Sequence, residues 1–330
     1  MLSVKVSSAE AALAGARVTV RLADVSSDAT RQRAGAGMPS VLVGLLLLLS
    51  TSTACVAWGE AGHATVAEIA GRHLSKKARA HVRKLLGPGG HEMAAVASWA
   101  DDVRDNGRPE TYNWHVVEIP PDAAGYDRAR DCRNDDCIVE KIKEFARVVA
   151  DRRVAREERG QSLKFLIHFV GDLHMPLHAY APLNHPKGTW VRIGALTDKL
   201  HLWWDWGWWD RAFEDEFGTE PLRVAETMAA QITPEEQQAW MAGTPEDRAN
   251  ESFKLASEFV AAHGLLAAVR EDNHSEKTPI VLARSVLDNE IGPVVIQRLK
   301  MAGVRLAWQL NEALPSHRHG SHRTQRRAFK

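Results

Sequence analysis

The most constraining stretch of this chain is His168-Phe169-Val170-Gly171-Asp172-Leu173-His174-Met175-Pro176-Leu177-His178, where ionisable side chains are set into an apolar run. An imidazole at 168 and a carboxylate at 172 stand four residues apart, so a helix carries both on one face. Pro176 ends that helix and lets His178 turn back toward it. Phe165, Leu166, Ile167, Phe169, Val170 and Leu173 commit the segment to burial. In such surroundings a carboxylate is costly unless a cation or hydrogen bonds compensate it. The pattern therefore predicts a buried helix with metal or catalytic chemistry rather than a solvated helix with incidental polar groups. His174 follows His168 by six residues, points to a different face, and is left out of the ligand set.

The rest of the chain supplies a scaffold of the same kind. Apolar residues recur at helical spacing over 63–74, 75–86, 91–104, 138–154, 158–174, 244–262 and 292–312, with Ser75 and Thr244 as N-caps. Strand signals are scarce, and Trp190-Val191-Arg192-Ile193 is the best candidate for a short hairpin arm. The expected fold class is mainly α, in a single helical domain. The connections 105–137 and 179–200 are long and rich in Pro, Gly, Asp and Asn; loops of that length line a site or are held by a bridge.

Both ends read differently from this middle. Val41–Leu49 is the only long apolar run, too short for the roughly 20 residues a membrane-spanning helix needs. Arg31 and Arg33 precede it and Cys55-Val56-Ala57 follows with small residues, the pattern of a signal peptide cut after Ala57. Residues 1–57 are expected to be absent from the mature, exported protein, with Met38 as an alternative translation start and Trp58 as the new amino terminus. A lipoprotein reading at Cys55 is disfavoured because Ser52 takes the place of the usual aliphatic residue. Residues 315–330, rich in Ser, His and Arg, are expected to be a disordered basic tail. Cys132 and Cys137 bracket a polar loop, and an exported chain meets oxidising conditions, so a disulfide is expected. Zinc thiolates are disfavoured, since no second cysteine pair is present to complete a tetrahedral site.

Charge narrows the chemistry further. The 42 basic residues balance 42 acidic ones, so an anionic substrate must be attracted locally and not by the overall field. Fifteen histidines and eleven tryptophans, gathered in short stretches, show where to look. His201-Leu202-Trp203-Trp204-Asp205 repeats the His/Asp spacing of four, Ser98-Trp99-Ala100-Asp101-Asp102-Val103-Arg104 places an arginine after an acidic pair, and Trp114-His115-Val116-Val117-Glu118-Ile119-Pro120 adds another imidazole. Trp203, Trp204, Trp206, Trp208 and Trp209 read mostly as core, with base stacking as the alternative. Each cluster alone is modest; their joint presence is not.

Taken in order, Trp58-Gly59-Glu60-Ala61-Gly62-His63, SWADD, WHVVEIP, HFVGDLHMPLH and HLWWD resemble the S1/P1 nuclease family, whose fold is shared with the zinc phospholipases C. The resemblance runs from Trp58 to about Leu314 and takes in NESFKLA and AGVRLAWQLN. It implies three zinc ions. One would be held by Asp101, His115, His168 and Asp172. The second would be held by Trp58 through its free amino group and carbonyl, by His63 and by the bridging Asp172. The third would be held by His178, His201 and Asp205. Nitrogen and oxygen donors of this kind suit Zn²⁺. Three divalent ions outweigh the three carboxylates, which leaves the pocket positive. A bridged metal pair can lower the pKa of a water from 15.7 toward about 7.

The resemblance therefore implies in-line hydrolysis of phosphodiesters in single-stranded DNA or RNA to 5′-phosphate products, with 3′-nucleotides as further substrates. It implies no membrane span in the mature protein and no obligate protein partner. Asp101 would orient the water and Arg104 would contact a phosphoryl oxygen, the alternative for Arg104 being a surface ion pair. Substrate contacts would fall to Glu118, where the family has an aspartate, and to Val116, which replaces an aromatic residue. Pro186-Lys187-Gly188-Thr189-Trp190 in place of a Gly-Gly-Asn segment, and Met175 in place of a glutamine, also depart from the family pattern. Competing expectations are a zinc phospholipase C or general phosphoesterase, and a non-catalytic zinc-binding helical protein.

Overall fold

The computed structural model describes residues 58–88, 92–181, 183, 189–207, 220–271 and 275–314. The expected signal peptide, the expected basic tail, Trp208, Trp209 and Pro186-Lys187-Gly188 lie outside the described residues, as does the side chain of Trp206.

The fold is all-helical apart from one small sheet. Its principal helices are α1 (Gly59–His73), α2 (Lys76–Leu86), α3 (Trp99–Asp105), α4 (Ile138–Ala150), α5 (Arg156–Asp172), α6 (Pro221–Ala230), α7 (Pro234–Trp240), α8 (Pro245–Ala262) and α9 (Gly292–Ala313). Capping explains several of the boundaries. The Ser75 hydroxyl accepts from the Ala78 amide, and Thr244 forms a reciprocal capping box with Asp247 ahead of Pro245. A second box, Thr233 with Glu236, starts α7, which the periodicity did not reveal. The 91–104 stretch is not one helix: a 3₁₀ turn at Ala94–Val96 precedes α3. Trp190–Ile193 (β1) pairs antiparallel with Leu196–Lys199 (β2), as its alternation suggests, and parallel with Ile280–Leu282 (β3). That third strand is only three residues long, too short to leave a legible period.

Two features fix the site's frame. The first is the crossing of α1 and α9, where Val66, Ile69 and Ala70 meet Leu299, Ala302 and Leu306 in the main core. Gly303 lies so close to Ile69 that any Cβ there would overlap its side chain and press on the Val66 carbonyl oxygen at 3.2 Å. The second is a buried polar strap between α8, α9 and the turn after Asp172. Arg298 donates through Nε to the His174 carbonyl oxygen (2.9 Å) and through Nη2 to Ser252 Oγ (2.7 Å), and Ser252 Oγ donates to the Leu173 carbonyl oxygen (2.6 Å). Arg305 grips both Glu251 oxygens at 2.6 and 2.8 Å and donates to His174 Nε2 at 3.0 Å. His174 Nδ1 meets the Val170 carbonyl oxygen at 2.7 Å and must be the donor there, so Nε2 is left to accept. Burial, reinforced by Arg298 and Arg305, holds His174 well below the usual imidazole range and therefore neutral.

Glu251 is half-exposed beside two buried guanidinium groups. Partial burial raises its carboxyl pKa, but hydrogen bonds and charge from Arg305 and Arg298 outweigh that and bring it down to about 2. A depressed carboxyl stabilises the fold fully above its unfolded value near 4.5, and that contribution is lost as the pH falls toward about 2. Glu251→Gln is expected to cost roughly 1–2 kcal/mol at pH 7, below the figure for a fully buried pair because Glu251 reaches solvent. Denaturant titrations from pH 7 to pH 2 check this: the gap between variant and parent should close on acidification.

Candidate metal centre

Asp172 ends α5 in full burial, facing three imidazoles brought from different parts of the chain. Its Oδ1 lies 3.2 Å from His63 Nε2, and its Oδ2 lies 2.9 Å from His115 Nδ1 and 3.2 Å from His168 Nε2. Asp101, in the first turn of α3, approaches the same centre, with Oδ1 3.5 Å from both His115 Nδ1 and His168 Nε2. The His63 and His168 rings stack with centroids 3.8 Å apart and planes 13° apart. Gly171 makes this packing possible: a Cβ there would stand 2.9 Å from His63 Nδ1.

The tautomers follow from the outer partners. His168 Nδ1 faces the Ala97 carbonyl oxygen at 2.7 Å and must donate to it, which turns the Nε2 lone pair toward the two carboxylates. Burial works against a charged ring at 168, yet Asp172 and Asp101 lift its pKa to about 10, a measure of how strongly this pocket calls for positive charge. Against its burial, His168, His115 and Arg104 hold Asp101 below the usual carboxylate range, and His168, His115 and His63 hold the equally buried Asp172 well below it.

A second group sits on the turn after α5 and on the segment after β2. His178 Nδ1 donates to the His115 carbonyl oxygen at 3.0 Å, and His201 Nδ1 donates to the Leu183 carbonyl oxygen at 2.9 Å. Both Nε2 atoms are then acceptors, yet they face each other at 3.2 Å, with Asp205 Oδ2 3.1 Å from His201 Nε2. Three lone-pair donors converging without a proton between them repel one another unless a cation joins them. Burial depresses His178 to about 3, so its own protonation does not supply that cation near neutral pH. Burial raises the Asp205 carboxyl, against the pull of His201 and of the Trp58 backbone amide.

The residues fit metal ions on this ground. Three sets, His63/Asp101/His168, His115/His168/Asp172 and His178/His201/Asp205, each bring ligand atoms within 4.8 Å of one another, all buried. Trp58 stands beside them. Its indole N–H donates to the Gly171 carbonyl oxygen at 2.7 Å, its own carbonyl oxygen accepts the Gly62 amide at 3.0 Å, and its backbone is left-handed (φ 53°), uncommon outside glycine. Its carbonyl oxygen thus already serves the first turn of α1.

Other residues singled out by sequence are placed differently. Arg104 is 8% exposed, which excludes a surface ion pair; it donates to Asp101 Oδ1 at 2.8 Å and to Asp105 Oδ1 at 2.8 Å. Val116 is buried next to His115, whereas Glu118 is exposed. Trp203 and Trp204 are buried, Trp204 edge-on to Phe259, in agreement with core packing. Cys132 and Cys137 form the expected disulfide. Sequence reasoning missed the contribution of Gly171, although a glycine between two buried ligand positions, with a bulky residue on either side, was the available signal.

The S1/P1 Nuclease family model matches residues 58–315. The chain is 32% identical to nuclease P1 of Penicillium citrinum over 153 residues, 45% of this chain and 57% of that protein. It is 30% identical to nuclease S1 of Aspergillus oryzae, over 57% of this chain and 67% of the relative. Endonuclease 3 of Arabidopsis thaliana is 24% identical over 84% of this chain and 96% of its own length. The match to nuclease P1 thus spans little more than half of that enzyme.

Gly171→Ala is expected to push His63 off the Asp172 carboxylate. The overpacking should cost roughly 1–3 kcal/mol and weaken binding of one cation selectively. Thermal denaturation combined with Co²⁺ absorption titration reads both effects; unchanged Co²⁺ stoichiometry and affinity would refute the role given to Gly171.

Proposed function

Because the chain belongs to the S1/P1 nuclease family, we propose that it is a zinc-dependent phosphodiesterase that cleaves single-stranded DNA and RNA to 5′-phosphate products and acts on 3′-nucleotides at the same centre. The observation that carries this reading is Asp172, one fully buried carboxylate facing His63 with one oxygen and His115 and His168 with the other. Three zinc ions would be held by Asp101, His115, His168 and Asp172; by Trp58, His63 and Asp172; and by His178, His201 and Asp205. Zinc in these positions supplies a Lewis acid and a source of hydroxide near neutral pH.

The chain's own residues do the rest. Asp172, which faces His63 with one oxygen and His115 and His168 with the other, would be shared by two of the sites. Asp101 orients the attacking water, its carboxylate held by Arg104 Nη1 at 2.8 Å. Arg104 is also the donor for a phosphoryl oxygen, a task suited to a guanidinium already positioned by Asp101 and Asp105. The backbone carbonyl oxygens that accept from Nδ1 of His168, His178 and His201 keep each ring in the metal-binding tautomer. Residues 1–57 act as a signal peptide for export to an oxidising compartment, in keeping with the Cys132–Cys137 disulfide. Its removal exposes the Trp58 amino group as a ligand next to Asp205.

The test is incubation of the protein beginning at Trp58, with zinc content measured, against single-stranded DNA, RNA, 3′-AMP and lecithin. Cleavage of the nucleic acids with 5′-phosphate ends is expected. A zinc-loaded sample that cuts none of them sinks the proposal, and phosphocholine release alone would redirect it to phospholipids. Metal analysis of two variants checks the ligand assignment: Asp172→Asn should lose close to two zinc ions per chain and Asp205→Asn close to one. A form that retains residues 1–57 should bind less zinc and turn over poorly.

A further inference from the structure

A cleft of about 530 Å³ opens directly beside His115. Val116, Glu118 and Pro120, which continue the chain from His115, form one wall, and Arg130 with Arg133 and Asp136 of the disulfide-closed turn that follows it form the other. Both walls are fixed. The Val117 amide donates to the His178 carbonyl oxygen (2.9 Å), the Ile138 amide donates to the Val116 carbonyl oxygen (3.0 Å), and the Cys132–Cys137 bond closes the turn through left-handed Asn134 and Asp135. The cleft is therefore held in register with the metal groups.

Most of its charges are already answered within the protein. Arg130 Nη2 donates to Asp131 Oδ2 (2.8 Å) and to the Gly125 carbonyl oxygen (2.6 Å). Asp136 accepts from Asn113 Nδ2 and Trp114 Nε1, each at 2.8 Å. Among the described cleft residues this leaves one cation and one anion, Arg133 and Glu118, both exposed and on opposite walls. A nucleotide has complementary parts: an anionic phosphate for the guanidinium and a donor-bearing base edge for a carboxylate, with the apolar flank of Val116 and Pro120 beside the sugar and base. A lone anion would meet Glu118 and the two aspartates, so the cleft favours a whole nucleotide over free phosphate.

On the reading of the centre as a nuclease, we propose that Arg133 binds the phosphate of the nucleotide flanking the scissile bond, which makes it a specificity-determining residue for polynucleotides over shorter phosphoesters. An arginine on the rim acts on binding and not on the chemical step. Its contribution should therefore fade with salt and be absent from any substrate that has no second phosphate.

The experiment uses the zinc-loaded protein and two probes: a fluorescein-labelled, hydrolysis-resistant phosphorothioate oligothymidylate for binding, and thymidylyl-thymidine, whose one phosphate is the scissile one, for turnover. Arg133→Ala should weaken oligothymidylate binding about fivefold and reduce the slope of log K against log salt by about 0.7. Hydrolysis of thymidylyl-thymidine should be unchanged, and Arg133→Lys should recover most of the affinity. Parent-like affinity and salt slope in Arg133→Ala, or a parent that does not bind the oligonucleotide, would overturn the assignment. Arg133-dependent binding by a zinc-loaded parent that cleaves neither thymidylyl-thymidine nor unmodified single-stranded DNA would uphold the subsite and remove the nuclease reading instead.

Discussion

The structure depends on one fully buried carboxylate. Asp172 has no exposed surface, and the groups that face it are imidazoles from α1, from the turn before Val116 and from its own helix. An ionised group in that position is tolerated only with compensating charge at short range. Each neighbouring device serves that need: the glycine at 171 that admits His63, the Ala97 carbonyl that sets the His168 tautomer, and the arginine that steadies Asp101. Protons on the imidazoles or metal ions between them are the two available sources of charge. The His178–His201 pair, with two lone pairs turned on each other beside Asp205, makes the same demand, and His178 does not meet it with its own proton near neutral pH.

Electrostatic demand at the centre is matched by rigidity around it. The turn from Leu173 to His178 has no regular secondary structure of its own until the 3₁₀ turn at Pro176–Ala179, yet its carbonyls and the His174 ring are held by Ser252, Arg298 and Arg305. The ligands on either side of the turn keep their positions because long helices on the other side of the molecule hold the loop between them. This division is common in active sites: chemistry on short irregular segments, positioning from packed helices.

Much of this was legible in the sequence where period and chemistry coincided. The spacing of four between His168 and Asp172, and between His201 and Asp205, sufficed to pair them, and Pro176 sufficed to predict that His178 would turn back. The helices with strong caps, at Ser75 and Thr244, also start where expected. Three things were not legible. β3 is too short to have a period, and its parallel pairing with β1 is a long-range event. For Arg104 the sequence left two readings, a phosphoryl contact and a surface ion pair, and only its tertiary burial excludes the second. His174 could be set aside as a ligand, but the arginines that occupy it come from residues 298 and 305, a separation no local pattern bridges.

That same long-range strap sets an order of events in time. The turn between Asp172 and His178 gains its last anchors only when Arg298 and Arg305 arrive, and α9, which carries both, is also the helix that packs against α1. A chain emerging amino terminus first presents the ligands early and the clamp last. The frame of the pocket is thus incomplete until the carboxy-terminal helix has been made.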